Sequence, residues 1–338
     1  MWDRMTQNVS VDDDTARDLL EEMLRIDIFE EETKERFGEG EIPGFVHLSG
    51  GHEGSHVGMG AAMRDDDWLA VGGARLIGQY IAKGVPLPEI MAELYGRVGG
   101  SNKGHGGQMH VSDVDRRLYG HAATIGSGQN PAVGLGLAEE MKGTDNVAVT
   151  TIGDGGTSRG SFHTALVFAA YWDLPVVFII ENNEWAISTP AESLSPDHLS
   201  DYGIPHNMPT ESIDGSDVEE VYHTVAEAIE RARNGEGPTV IESRVVRLVP
   251  HFEGDKETYR DEEAYERAKE EKDPIENYRE RLLENDVITE DELEDMVANI
   301  EAEVEEAVEF ARESPEPEPE AAYDHVYQLP LYGQGEEQ

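Results

Sequence analysis

The chain of 338 residues contains no cysteine, which excludes disulfides, thiolate catalysis and zinc sites built on sulfur. Any metal must therefore be held by oxygen or imidazole nitrogen. Lysine is scarce as well, at 7 of 26 basic residues, against 72 acidic ones. Long apolar runs are missing: the strongest, Leu174 to Ile180, is far too short to span a bilayer. The N-terminus carries no basic stretch followed by an apolar core, so a soluble, cytoplasmic protein is expected.

The formal net charge of −46 repels nucleic acid and anionic membranes, and neither is expected as a partner. The acids are scattered along the whole chain, the pattern of a solvated surface and not of one acidic site. Combined with so few lysines, the scatter resembles that of proteins from salt-loving organisms, where molar salt screens self-repulsion within about 3 Å. A halophilic protein that unfolds when salt is withdrawn is the expectation.

Length alone permits one large α/β domain with extensions or two smaller domains. Leu19, Leu20, Met23, Leu24, Ile28 and Phe29 recur at helical spacing within residues 15 to 36, which reads as an amphipathic helix. Residues 38 to 60 turn glycine-rich, with His47 and His52, and predict a loop leading into a helix. A second glycine-rich loop, residues 99 to 110, follows a helix over 87 to 95. The middle third alternates: helix 131–141, strand 146–152, helix 161–172, strand 175–180, helix 218–233, strand 239–246. This order implies parallel strands joined by right-handed crossovers. Beyond His251 the chain reads as acidic helix to about Ala311, and the proline-glutamate repeat after Ser314 ends it. The expected division is an N-terminal helical arm (1–37), a main domain with a helical C-terminal part (38–312) and an extended acidic tail (313–338).

Chemistry gathers at two strand ends. Strand 146–152 delivers Gly153-Asp154-Gly155-Gly156, and the next delivers Asn182-Asn183. If these strands are neighbours, Asp154 and Asn183 meet at the edge where open α/β sheets bind ligands. One anionic and one neutral hard oxygen suit a small octahedral cation that keeps positions for phosphate and water, so magnesium bridging a diphosphate is the natural reading. The glycines let backbone amides at the next helix start approach phosphate. A dinucleotide fold is the competitor, but an aspartate between the glycines repels a bare pyrophosphate, and Ser158 stands where its third glycine would be. Each dipeptide alone is also ordinary turn chemistry; the joint spacing argues for a site.

The run from Gly153 to Asn183 resembles the thiamine-diphosphate signature, and the helix between looks like that of the alpha subunit of the first, decarboxylating component of 2-oxoacid dehydrogenase complexes. Residues 45–53 (FVHLSGGHE), 103–110 (KGHGGQMH), 181–188 (ENNEWAIS) and 251–255 (HFEGD), with Tyr259-Arg260, follow that family in order over nearly the whole chain. The resemblance implies the thiamine-diphosphate-binding fold, a mostly parallel sheet flanked by helices. It makes Asp154, the Asn183 side chain and the Trp185 carbonyl ligands of Mg2+, and turns Gly155 and Gly156 to the diphosphate. Arg247 matches an arginine near the phosphates, and Ile125 and Gly126 match backbone beside the aminopyrimidine. His47 matches a residue near the 2-oxo acid, and His110 and His251 match active-site histidines that would move protons or orient the carboxylate and the incoming lipoyl group. Arg75 is the candidate for the family's diphosphate arginine, although Ala74 lacks the usual neighbouring side chain. Arg159 stands where the family has an acid, and His52 where glutamine is commoner.

The resemblance further implies that the glutamate activating the cofactor lies on a separate beta subunit, in an α2β2 heterotetramer that hands its acyl group to a lipoyl-bearing acyltransferase. Pyruvate is the substrate expected first. Branched-chain 2-oxo acids, acetoin, or a decarboxylase subunit that never meets lipoyl are the alternatives. An acidic interaction protein without activity would leave the ordered glycine loops and the strand-end Asp154 and Asn183 unexplained.

Overall fold

A computed structural model describes residues 10–120, 124–193 and 198–323. The helical periodicity of the first segment forms α1 (Asp13–Gly38), capped by Asp12, whose carboxylate accepts from the Thr15 amide at 3.0 Å. Acids in its first turn and Arg36 in its last oppose the ends of the helix dipole. Then follow α2 (Glu53–Ala62), β1 (Trp68–Ala70), α3 (Ile77–Ala82), α4 (Leu87–Leu94), β2 (Leu118–Tyr119), α5 (Gln129–Lys142), β3 (Ala148–Gly153), α6 (Gly160–Tyr171) and β4 (Val176–Asn182). A small hairpin, β5 (Trp185–Ala186) and β6 (Thr189–Pro190), precedes β7 (Thr210–Asp214), α7 (Val218–Arg233) and β8 (Thr239–Arg244). The chain closes with α8 (Glu262–Lys272), α9 (Pro274–Glu284) and α10 (Glu290–Glu313).

Six strands form one sheet in the order β2-β1-β3-β4-β8-β7, and every pairing is parallel. The fold is therefore the expected mostly parallel sheet flanked by helices. β3 and β4 are direct neighbours, with Gly153 opposite Glu181, so their carboxyl ends meet. Successive side chains of β4 alternate between two cores, as a strand's period of two requires. Val177 and Ile179 join the cluster beneath α1, α2, α4, α7 and α10, while Val176, Phe178 and Ile180 join that beneath α5 and α6. Burial on both faces explains why this strand reads as an unbroken apolar run.

Three strands of this sheet escape a reading by hydrophobic period. β1 and β2 have three and two residues, too few for a period to show. β7 pairs only with β8 and exposes Glu211 and Ser212, and its polar composition is that of an edge. α10 begins with a capping box, Thr289 and Glu292 each accepting from the other's backbone. After it the chain makes a 3₁₀ turn at Pro319–Tyr323; the rest of the expected acidic tail lies outside the described residues. No helix among the described residues is long and apolar enough to cross a membrane.

Candidate active site

At the end of β3 the backbone enters a 3₁₀ turn, Asp154–Ser158. Glycine is required here by close approach. A Cβ on Gly155 would lie 2.6 Å from the Ala186 Cβ, and one on Gly156 would lie 2.6 Å from Ile152 Cγ1 and 3.1 Å from Ile125 Cγ2. The hairpin β5–β6 therefore sits on the turn, and Ile125 borders it. Gly126 adopts φ +86°, with Ser161 and Arg159 crowding the place of a Cβ. Asp154 is 2% exposed. Its Oδ1 accepts from the Gly155 amide at 2.6 Å, whereas Oδ2 is buried with no partner. Burial pushes its carboxyl up to about 6, opposed by the Gly155 and Trp185 amides and by the charges of Arg247 and Arg75. An orphaned anionic oxygen inside a protein is costly unless a cation satisfies it.

The two asparagines at the end of β4 divide their labour. The Asn182 amide group is consumed within the fold, donating to Glu242 at 2.7 Å and accepting from the Glu184 amide at 3.1 Å. Asn183 instead accepts from the Trp185 amide through Oδ1 at 3.2 Å, and that same amide faces the Asp154 carboxylate. The two expected ligand side chains thus flank one backbone N–H. Getting there bends the chain: Glu184 and Ile187 take φ of +65° and +59°, which is costly for a β-branched isoleucine. Among the described residues no group of three or more His, Asp or Glu could cage a metal. A cation at Asp154 and Asn183 would need ligands from outside, as a diphosphate supplies.

Arg247 secures the bend. It is 1% exposed and donates to the Ile187 carbonyl at 2.8 Å, to the Tyr259 hydroxyl at 2.9 Å and to Glu257 at 3.3 Å, with Trp185 and Tyr259 rings beside it. Both of its terminal nitrogens are engaged by the protein, so toward the strand ends it acts as a fixed positive field.

A second face is assembled from three loops. His47 Nδ1 lies 2.6 Å from the His251 carbonyl, and the two rings stand 4.9 Å apart. Buried Arg75 donates to the Leu48 carbonyl and, at 3.1 Å, to the Pro250 carbonyl; it crosslinks the two histidine loops. The loop of His110 joins through Gln108, which donates to the carbonyls of His47 and Ala74 at 3.0 Å each. Burial, followed by the charges of His47, Arg75 and Arg247, lowers His251 to about 4, and burial lowers His47 as well. Both imidazoles are neutral near pH 7.

Comparison with known proteins decides what this arrangement belongs to. Residues 21–320 match the family model described as "Dehydrogenase E1 component". The chain is 41% identical over 278 residues to the alpha subunit of acetoin:2,6-dichlorophenolindophenol oxidoreductase of Bacillus subtilis, covering 82% of this chain and 83% of that one. It is 36% identical over 285 residues to the subunit of the same description from Cupriavidus necator, covering 84% and 85%. The alpha subunit of the pyruvate dehydrogenase E1 component of Rhizobium meliloti is 37% identical over 273 residues, covering 80% and 78%. The chain belongs to the dehydrogenase E1 component family. It is thereby a member of the thiamine-diphosphate-dependent oxidoreductases, of alpha-subunit type.

Two residues of this E1 chain have a part that reading by motif missed. Glu93, fully buried on α4, accepts from the amides of Asn102, Gly104 and Gly106 at 2.8, 2.9 and 2.6 Å, and from Gly107 at 3.3 Å. It is the template around which the His110 loop folds. The available signal was an acid three residues after Ile90, on the apolar stripe of a helix. His52 lies between Asn183 and the Ser49 carbonyl; only the pairing of β4 with its neighbours brings it there.

Proposed function

We propose that this chain is the alpha subunit of a thiamine-diphosphate- and Mg2+-dependent E1 component whose substrate is acetoin. The observation that carries the cofactor part is the buried, unpartnered Asp154 Oδ2 beside the Asn183 amide at adjacent strand ends. That donor set fits the ion and its diphosphate: one carboxylate, one amide oxygen and the Trp185 carbonyl would hold Mg2+, leaving positions for phosphate oxygens. Gly155 and Gly156 would face the diphosphate, Arg247 and Arg75 would supply positive field, and Ile125 and Gly126 would border the aminopyrimidine. When bound, the cofactor supplies a nucleophilic carbon and an electron sink for cleavage next to a carbonyl. His47, His251 and His110 would orient substrate by hydrogen bonds and pass protons at its oxygen.

The expectation from sequence put pyruvate first; the identities of 41% and 36% to acetoin oxidoreductase subunits move acetoin ahead. Charge supports the change. His47 and His251 are held neutral, and both terminal nitrogens of Arg75 are taken by backbone carbonyls, so these three residues offer no free cation to a substrate carboxylate. Pyruvate is kept as the second reading because the Rhizobium subunit, at 37% identity, carries that name. The reading includes a beta subunit that provides the activating glutamate, an α2β2 assembly, a lipoyl-bearing acyltransferase as acceptor, a cytoplasmic location and molar-salt working conditions.

The test is turnover by the chain co-expressed with its beta subunit, in molar salt with Mg2+ and thiamine diphosphate, of acetoin, pyruvate and branched-chain 2-oxo acids, using 2,6-dichlorophenolindophenol as acceptor. The highest kcat/KM is expected for acetoin. Preference for pyruvate would replace the substrate, and turnover by the purified chain alone would refute the shared site.

A further inference from the structure

An asparagine offers a metal two different ends, an oxygen that can ligate and an NH2 group that cannot. Which end of Asn183 faces Asp154 is therefore a question the binding site must settle before any ion arrives. We infer that His52 settles it: its imidazole is a positioning residue that holds the Asn183 amide with Oδ1 toward the Asp154 side.

The geometry runs from the backbone inward. His52 Nδ1 lies 3.0 Å from the Ser49 carbonyl, which can only accept, so Nδ1 carries the hydrogen of the neutral ring. The lone pair is then on Nε2, which stands 3.1 Å from Asn183 Nδ2 and receives its hydrogen. At the other end of the amide, Oδ1 receives the Trp185 N–H at 3.2 Å. Rotating the amide by half a turn would set oxygen against a lone pair and NH2 against N–H, two repulsions in a half-buried place.

The ring itself has nowhere to go. It is 1% exposed at the start of α2 and packs 5.9 Å from the His56 ring, which is tied to Glu181 of β4 at 2.8 Å. Its anchor is fixed in turn, since the Ser49 amide donates to the buried Glu30 of α1 at 2.5 Å, and Gly51 donates to Glu53 at 2.8 Å. The same short stretch of backbone carries His47 on the substrate side. One rigid loop thus sets the orientation of a metal ligand at one end and of an active-site imidazole at the other.

This role rests on the proposed Mg2+ and thiamine diphosphate site, and the experiment separates the two. In the assembled complex with the beta subunit, Mg2+ is titrated at a fixed saturating concentration of thiamine diphosphate, and binding is read from the fluorescence of the neighbouring Trp185 and by calorimetry. His52→Leu should raise the half-saturating Mg2+ concentration roughly 10- to 100-fold, the usual loss for a partner of a metal ligand. His52→Gln should restore it to within about threefold, because a glutamine can accept from Asn183 and donate to Ser49 at once. Should the leucine variant fail to assemble, His52→Met, unbranched and without a donor, takes its place in the comparison. Unchanged Mg2+ dependence in the leucine or methionine variant would overturn the inference while leaving the site intact. So would a glutamine variant no better than they are. A wild-type complex that binds no thiamine diphosphate at any Mg2+ concentration would remove the functional reading and this role with it.

Discussion

The proposed metal edge and the histidine face of the site are built differently. Asp154 and Asn183 stand at the ends of neighbouring parallel strands joined by one crossover helix, so a short stretch of chain and one sheet register place them. His47 and His251 are 204 residues apart, and with the His110 loop they meet only because Arg75, Gln108 and Glu93 tie three loops by hydrogen bonds to backbone. A strand end is rigid by virtue of its ladder. A loop is rigid only where buried polar groups make it so. The difference teaches that cofactor binding should be sensitive to few residues and substrate handling to many.

The largest effect should come from breaking the metal edge. Asp154→Ala should lower Mg2+-dependent thiamine diphosphate affinity in the assembled complex by more than about 100-fold while leaving the fold intact, because it deletes the one anionic ligand of the proposed set. Near-normal affinity, by calorimetry, would place the cofactor elsewhere. On the other face, His251→Ala should reduce kcat about 100-fold or more, the range for a group that moves protons, with little change in cofactor affinity. A loss of cofactor affinity equal to that of Asp154→Ala would erase the distinction between the two regions.

Glu93→Gln should act next, on the scaffold of the histidine face. An amide offers one accepting oxygen and points its NH2 at amides that also donate, which costs about 1–3 kcal/mol for the unsatisfied groups. Faster tryptic cleavage at Lys103 and faster hydrogen exchange over residues 102–107 should follow, with cofactor affinity within a few-fold of wild type. If the loop is equally protected in the variant, the carboxylate is not its template.

The smallest expected effect is on pH dependence. Burial raises Glu30 from its usual 4.5 to about 8, so between those values the folded chain holds a proton that the unfolded chain has lost. Its contribution is complete below pH 4.5 and is lost as pH rises through about 8. His52 and His251, depressed in the fold, work in the opposite sense, but only below about pH 6.5. Melting temperature in molar salt should therefore fall between pH 6.5 and 8, and Glu30→Gln should flatten that slope. An unchanged slope would remove Glu30 as its source.

Much of this was legible in the residues themselves. β4 announced itself because both faces are buried, so every position from Val176 to Ile180 is apolar. The helices α1 and α7 did so through their period. That Asp154 and Asn183 lie at neighbouring strand ends was readable because their motifs end two consecutive strands of the alternation. β1, β2 and β7 were not legible, being too short or too polar for a pattern. Nor were the bonds of the Arg75 terminal nitrogens to the Leu48 and Pro250 carbonyls legible, because they join segments far apart in the chain.

By itself, then, the sequence determined the alternation of helix and strand, the parallel sheet and the two strand-end motifs, because period, turn chemistry and crossover handedness are local rules. Only the tertiary structure decided that Asn183 and not Asn182 turns its amide oxygen to the Trp185 N–H beside Asp154, that Asp154 keeps one oxygen unsatisfied, and that His52 faces Asn183. Those facts depend on which buried polar groups find partners, and a partner 131 residues away leaves no mark on the residues around it.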